Sequence, residues 1–322
     1  MPLNIRFVST YPPRRCGIGT FCRDLANALS HLTAEVGYIR VAAIDNKQGP
    51  YNLPVDLIID QYSPKSWQEA TQTILQRSRQ TPSPTAVVLQ HEYGLDPDEH
   101  GGDGRGTHFV EMAKTFSENN LLCVVYLHTL LENPNEHQRQ VIADLARYSN
   151  GLIVTTESAV DILESDSYGI SPFQVKHIDH GIRMHHPTQF DRFEIKKEFG
   201  LTDFFLVTTL GLLSPGKGIP YSIAGYGRFL KDACTPAQRQ HIVYLIAGQC
   251  HPEFVRADGG KPYRQYMETL QQALADSDLQ WCRTRDITQV DWKSNDIVFY
   301  DNFMDEGMLL KLYGATNVMI LP

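Results

Sequence analysis

Short apolar runs alternate along this chain with longer segments that repeat apolar residues at helical spacing. That alternation is the signature of successive βαβ units, and so of a mostly parallel sheet covered by helices. Residues 5–8, 36–44, 57–59, 85–89, 121–127, 151–154 and 175–178 read as strands. Residues 21–32, with Thr20 as candidate N-cap, and 66–80, 107–118, 136–148 and 158–164 read as helices. A connector over 185–202 contains one helix, after which a fresh series begins. Its strands are 204–210, 241–246, 297–300 and 317–321, and its helices 221–230, 263–275 and 306–313. The chain is therefore expected to be α/β, with two consecutive Rossmann-like units over 1–195 and 196–322. The polar stretch 280–296, with two tryptophans, reads as a loop insertion.

A length of 322 residues fits about two domains. The net charge of −8 argues against general nucleic-acid binding, because polyanion binders usually carry a basic face. An acidic chain still binds a diphosphate when its few cations and helix N-termini are placed locally. The six cysteines are scattered without a Cys-x-x-Cys pair, so neither a zinc site nor a disulfide framework is suggested. Residues 1–9 lack the apolar core of a signal peptide, and no apolar stretch is long enough to span a bilayer. A cytoplasmic location without a transmembrane segment is the expectation.

The most pointed chemistry follows the strand at 204–210, which feeds Gly211-Leu212-Leu213-Ser214-Pro215-Gly216-Lys217-Gly218 and then a helix. Such a loop presents backbone N–H groups to an anion, and Lys217 adds a full charge. Gly216, Lys217 and Gly218 are the candidate phosphate cradle. An exposed loop lysine is the bland alternative, and the flanking glycines weigh against it. A charge within about 4 Å of a phosphate is worth roughly 4 kcal/mol at an effective dielectric of about 20. Gly248 and Gln249 end the next strand and are candidate walls for a base or ribose. Cys250 and His251 beside them are two metal-type ligands without partners, so no metal is expected.

In the first unit, the loop 10–20 carries Gly17 and Gly19, which allow close approach to a phosphate, and Arg14 and Arg15, either of which can meet an anion. It lacks the third glycine of the dinucleotide fingerprint, and a plain turn with two solvated arginines is the alternative. His91, Glu92 and Tyr93 follow one strand and His128 the next, and Glu92, His128 and Lys217 are the candidate catalytic residues. Consecutive strand ends face one crevice, which favours a site over isolated structural histidines. The glycine-rich acidic loop 96–105 is either a lid over an acceptor or a solvated turn. His91, Tyr93 and Arg105 are the candidate acceptor contacts.

Together, residues 9–25, 90–95, 127–130, 177–182, 211–219 and 245–252 resemble family 4 glycosyltransferases of the GT-B class, in the right order and along the full chain. The resemblance implies two Rossmann-like domains facing a cleft, with a nucleotide-sugar donor (a UDP-, GDP- or ADP-sugar) on the second. A saccharide or other hydroxyl acceptor would sit on the first, with retention of anomeric configuration and no metal. Residue by residue, Lys217 matches the lysine on the donor diphosphate, and His128 the histidine near the sugar C1 and its 6-hydroxyl. Gly17 and Gly19 match the loop near the donor phosphates, and His180 and Gly181 the turn before the inter-domain connector.

Two departures stand out. The arginine that many members place five residues before the lysine is Leu212 here. The family's acidic pair, which binds the donor's sugar and ribose hydroxyls, follows a strand equivalent to the one at 317–321. The expectation is therefore a donor unit that is incomplete at Pro322, a chain catalytically deficient as it stands, and an unpaired sheet edge at 317–321 open to self-association. Two other readings are a non-catalytic nucleotide- or partner-binding module and a GT-B-like nucleotide-sugar epimerase. The epimerase would need cleft carboxylates, for which Glu92 and Asp96 are the obvious candidates.

Overall fold

Every strand pairing among the described residues is parallel. The computed structural model describes residues 1–97, 106–182, 191–250 and 252–322, and its contacts divide the chain into units Met1–Arg183 and Met184–Pro322.

The first unit runs β1 (Leu3–Ser9), α1 (Gly17–Ser30), β2 (Val36–Asp45), β3 (Val55–Asp60), α2 (Pro64–Arg79), β4 (Thr85–His91) and α3 (Thr107–Glu118). It continues through β5 (Leu122–Leu127), α4 (Glu136–Tyr148), β6 (Gly151–Val154), α5 (Glu157–Glu164) and β7 (Val175–His177). The sheet order is β3-β2-β1-β4-β5-β6-β7. The central strands are apolar on both faces, as helices on both sides require. On one face Cys22 and Ala26 of α1 pack on Ile5, Phe7 and Val41. On the other, α2, α3 and α4 bury Trp67, Phe109, Phe116 and Leu145 against Val87, Leu89 and Val125. The order reverses between β1 and β4, the place where open α/β sheets bind ligands beyond the strands' carboxyl ends.

The second unit runs α6 (Arg192–Glu198), β8 (Phe205–Leu210), α7 (Ile219–Asp232), α8 (Pro236–Arg239), β9 (Ile242–Ala247) and α9 (Pro252–Arg256). It ends with α10 (Lys261–Asp276), β10 (Trp281–Thr284), β11 (Ile297–Tyr300), α11 (Glu306–Ala315) and β12 (Val318–Met319). The order β10-β11-β9-β8-β12 places its reversal between β8 and β12. Ile195, Phe199 and Leu312 cover one face, and Ile223, Tyr226, Leu270 and Leu274 the other.

Three sequence readings change. Residues 280–296 are not a loop insertion, because β10 adds a fifth strand on β11. The short edge strand alternates exposure rather than forming an apolar run. The rest of the segment is tied down by Trp292, whose indole N–H donates to the Phe199 carbonyl (2.7 Å), and by Asp296, gripped by both arms of Arg239 (2.8 and 2.9 Å). A boundary at 195 would cut α6, whose Ile195 belongs to the second core together with the adjoining Phe199; the contacts divide the chain at Arg183/Met184. Thr20 does not cap α1: its N–H already donates to the Cys16 carbonyl (3.1 Å), so the helix starts at Gly17. Two glycines of low helix propensity hide that first turn in the sequence.

The ends of β8 and β9 meet at two glycines. Gly248 has φ +145°, and a Cβ there would stand 1.7 Å from the Gly211 carbonyl oxygen. Gly248→Ala is expected to cost at least about 3 kcal/mol, lowering Tm by about 10 °C or more. Gly216→Ala, whose added carbon meets nothing within 4 Å, is expected to melt within about 2 °C of wild type. Thermal melts of the two variants check this.

Candidate functional site

At the carboxyl edge of the first unit, β1 leads through Thr10 and Tyr11 to α1. Gly17 is exposed at the start of the helix, and a Cβ there would meet nothing within 4 Å. No acidic residue sits in that first turn, so the positive end of the helix is uncompensated. Gly19 serves a different purpose. A Cβ on it would lie 3.2 Å from the Tyr11 nitrogen and 3.3 Å from Thr10 Oγ1, so it lets α1 pack against the strand end rather than face a ligand. Arg14 is likewise no anion contact as it stands: its buried guanidinium donates to the Ile44 carbonyl (3.0 Å). Arg15 is exposed, and its backbone N–H donates to Gln48 Oε1 (3.0 Å).

The ends of β4 and β5 lie side by side. Gln90 is paired in register with Tyr126, which puts Gln90, Tyr126 and His128 on the α1 face of the sheet. His128 is held on several sides. Its ring stacks on Tyr126 (5.1 Å, 27°), meets Phe21 edge-on (5.2 Å), and places Nε2 2.9 Å from Gln90 Oε1. Phe21 also touches His180 (4.8 Å). Burial, with a contribution from His180, pushes the His128 pKa down to about 4, so the ring is neutral at pH 7. Glu92 is half-buried and accepts a hydrogen bond from Thr129 Oγ1.

The expected acceptor contacts fare differently. His91 points to the opposite face and is wholly buried against Tyr93 and Phe109 (4.9 and 5.5 Å). Burial first, and His128 second, push its pKa down to about 3. Tyr93 is also buried, with its hydroxyl 3.4 Å from the Gln138 carbonyl. The alternation along β4 sends His91 into the core, and Tyr93, in the turn that follows, is buried beside it. Arg105, the glycines of the 98–105 loop and His251 lie outside the described residues. Asp96 is fully buried, and its carboxylate holds the start of α3 through His108 N (2.7 Å), Phe109 N (3.2 Å) and the His108 ring (2.5 Å). Among the described residues, Gln90 Nε2 and both ring nitrogens of His91 are buried polar atoms at these strand ends without a hydrogen-bond partner.

In the second unit, Gly218 adopts φ +64° as the N-cap of α7, a fourteen-residue helix with no acid in its first turn. Lys217 immediately precedes it, exposed; its backbone N–H donates to the Ser214 carbonyl (3.0 Å), and its ammonium makes no ion pair or hydrogen bond among the described residues. Gly216 is exposed and open, whereas Gly248 serves the close strand approach described above. Leu212, where a second cation was expected, is exposed. A feature absent from the sequence reading fixes the start of α7: the Thr209, Tyr244 and Ser222 hydroxyls form a buried chain (2.6 and 2.9 Å). That chain ends on the carbonyls of Ile320 and Ile219, both at 2.8 Å. A tyrosine and two small hydroxyl residues in otherwise apolar elements were its only sequence signal.

Beside the loops after β8 and β9 opens a cavity of about 380 Å³. Gln249, Tyr263, Trp281, Arg283, Phe299 and Asp301 are among its walls, and Arg283 pairs with Asp301 at 2.6 Å. Gln249 was anticipated. Trp281 and Arg283 were missed because their strand was read as a loop. Among the described residues no group of three or more His, Cys, Asp or Glu is placed to hold a metal, and no helix is long and apolar enough to cross a membrane.

No protein-family model matches the chain, and no curated protein matches it. Solved structures do. HepE of Anabaena, in complex with UDP and glucose, is 14% identical over 98% of this chain and 73% of that one, with a TM-score of 0.63. A trehalose-6-phosphate structure from E. coli, bound with UDP-2-fluoro glucose, is 12% identical over 99% and 78%, with a TM-score of 0.61. A UDP-forming α,α-trehalose-phosphate synthase from Burkholderia xenovorans, in complex with glucose-6-phosphate, is 13% identical over 99% and 78%, with a TM-score of 0.60. The chain thus has the α/β, parallel-sheet fold of GT-B glycosyltransferases.

The two depressed histidines set a pH dependence. The unfolded chain takes up their protons near pH 6.5, the folded one only near pH 3 to 4. The stability they confer is therefore complete above about pH 6.5 and is lost as pH falls toward the folded values. The slope is about 1.4 kcal/mol per pH unit for each histidine. Urea unfolding between pH 7 and 4 is expected to show His91→Leu shallower than wild type by about one proton; an unchanged slope would contradict the assignment.

Proposed function

We propose that this chain is a glycosyltransferase of the family 4 type, moving a sugar from a nucleoside-diphosphate sugar to a hydroxyl acceptor with retention of configuration. The observation that carries the proposal is Lys217: an exposed ammonium, unpaired among the described residues, at the glycine-capped start of an acid-free helix, in the loop whose Leu213 also lines a cavity of about 380 Å³. The helix start would serve as the diphosphate cradle, and the cavity has the size a nucleoside needs. The UDP and UDP-sugar complexes of the similar structures point to UDP as the nucleotide.

Gly216, Lys217 and Gly218 would hold the diphosphate, and Gln249 with the pocket walls the nucleoside. In the first unit, Gly17 offers the open N-terminus of α1, and His128 a neutral imidazole for a sugar hydroxyl. In the front-face route the bond from C1 to the diphosphate oxygen breaks while the acceptor oxygen bonds C1 on the same face. The acceptor's proton passes to the departing diphosphate. Charge develops on that diphosphate, where Lys217 and the α7 dipole stabilise it. No carboxylate nucleophile is called for. Glu92 is engaged by Thr129, and Asp96 is buried in the start of α3, which also weighs against the epimerase reading. Arg105 keeps its assignment to the acceptor.

The test follows UDP release from UDP-glucose in the presence of a panel of sugar acceptors. Lys217→Ala is expected to lower turnover by about 100- to 1000-fold, with Tm within about 2 °C of wild type. Undiminished turnover in that variant would remove the lysine from the mechanism. A wild type that neither binds UDP, GDP or ADP nor releases any of them from the corresponding sugars would reject the activity.

A further inference from the structure

We propose that Gln90 is a positioning residue for His128: it fixes the imidazole as the Nε2–H tautomer and turns the Nδ1 lone pair toward a hydroxyl of the reacting sugar. The sugar-facing half of this statement rests on the proposed transferase function. The tautomer does not.

Gln90 is fully buried at the end of β4, where its neighbours in the strand are Leu89 and the core-facing His91. An apolar residue would fill that position without leaving an amide group unsatisfied. Its one partner among the described residues is His128, through Oε1···Nε2 at 2.9 Å, and its Nε2 has none. An amide oxygen accepts only, so the ring nitrogen facing it carries the proton. Nδ1 is then the unprotonated nitrogen, and it makes no hydrogen bond to the protein among the described residues. Turning the ring plane away from Gln90 would displace its stack on Tyr126 and its edge contact with Phe21. The His128 backbone is pinned as well, its N–H donating to the His91 carbonyl (3.1 Å). Sheet register thus supplies the buried acceptor, the aromatic pair supplies the plane, and the amide selects which nitrogen faces outward.

The titratable groups coupled to or in contact with His128 are His180, His91 and the Tyr126 ring, with Glu92 bonded to the adjacent Thr129. None is altered by a change at Gln90, so a changed titration of His128 reports the amide itself. Replacing the amide by a carboxylate keeps the acceptor and adds a negative charge, which favours the imidazolium and raises the pKa. Replacing it by an apolar side chain removes the selection between tautomers.

Long-range ¹H–¹⁵N spectra of the ¹⁵N-histidine-labelled full chain test this, with His128→Gln identifying the signal. The wild-type ring is expected to be the Nε2–H tautomer throughout pH 5 to 8. Gln90→Glu is expected to shift the titration of His128 upward by at least one pH unit. Gln90→Leu is expected to average the two tautomers, and to lower kcat about tenfold with KM for the donor sugar within about twofold. A wild-type Nδ1–H tautomer, or a Gln90→Leu protein that keeps the wild-type tautomer, would overturn the proposal. If Gln90→Leu fails to fold, the wild-type tautomer and the Gln90→Glu shift decide alone. These spectra need no sugar, so their failure and a failure of sugar transfer are separate results.

Discussion

A parallel sheet sends every strand out at the same edge, and the helix that follows each strand then begins at that edge with its unpaired N–H groups. Each unit of this chain obeys that constraint, and its chemistry collects accordingly. In the first unit the edge brings together Gly17, Gln90, Glu92 and His128; in the second, Gly211 to Gly218 and Gly248 to Cys250. The price of so many strand ends in one place is steric. Gly211 and Gly248 meet where no side chain fits, and Gly19 admits α1 against Tyr11.

The same edge concentrates positive potential in a chain whose net charge is −8. Neither α1 nor α7 carries an acid in its first turn, and the Lys217 ammonium stands unpaired among the described residues just before α7. Other cations near strand ends are spent on the fold. Arg14 caps the Ile44 carbonyl, and Arg239 clamps Asp296. The separation between structural and available cations is what makes a local anion site credible on an acidic protein.

The fold was largely legible because the strands are buried on both faces, so their apolar runs stand out whatever their neighbours. Helices α3 and α4 fall where the periodicity puts them, over 107–118 and 136–148. β10 was illegible for the opposite reason: an edge strand of four residues that includes Arg283 and Thr284 carries no apolar run. Backbone demand was legible at the glycines of the 211–218 loop, where Gly211 and Gly218 take positive φ. The site was not legible at His91 and Tyr93, since the alternation along β4 sends His91 into the core and Tyr93, in the turn that follows, is buried beside it. Nor could the sequence show the Thr209–Tyr244–Ser222 chain or the Gln90–His128 pair, because each joins residues brought together by strand register.

Isothermal titration calorimetry of the 322-residue chain with UDP tests the central claim most directly. The account predicts saturable one-site binding by the wild type that weakens at least tenfold in Lys217→Ala. Absence of binding by a wild-type chain that melts cooperatively, or equal affinity in the two proteins, would contradict it.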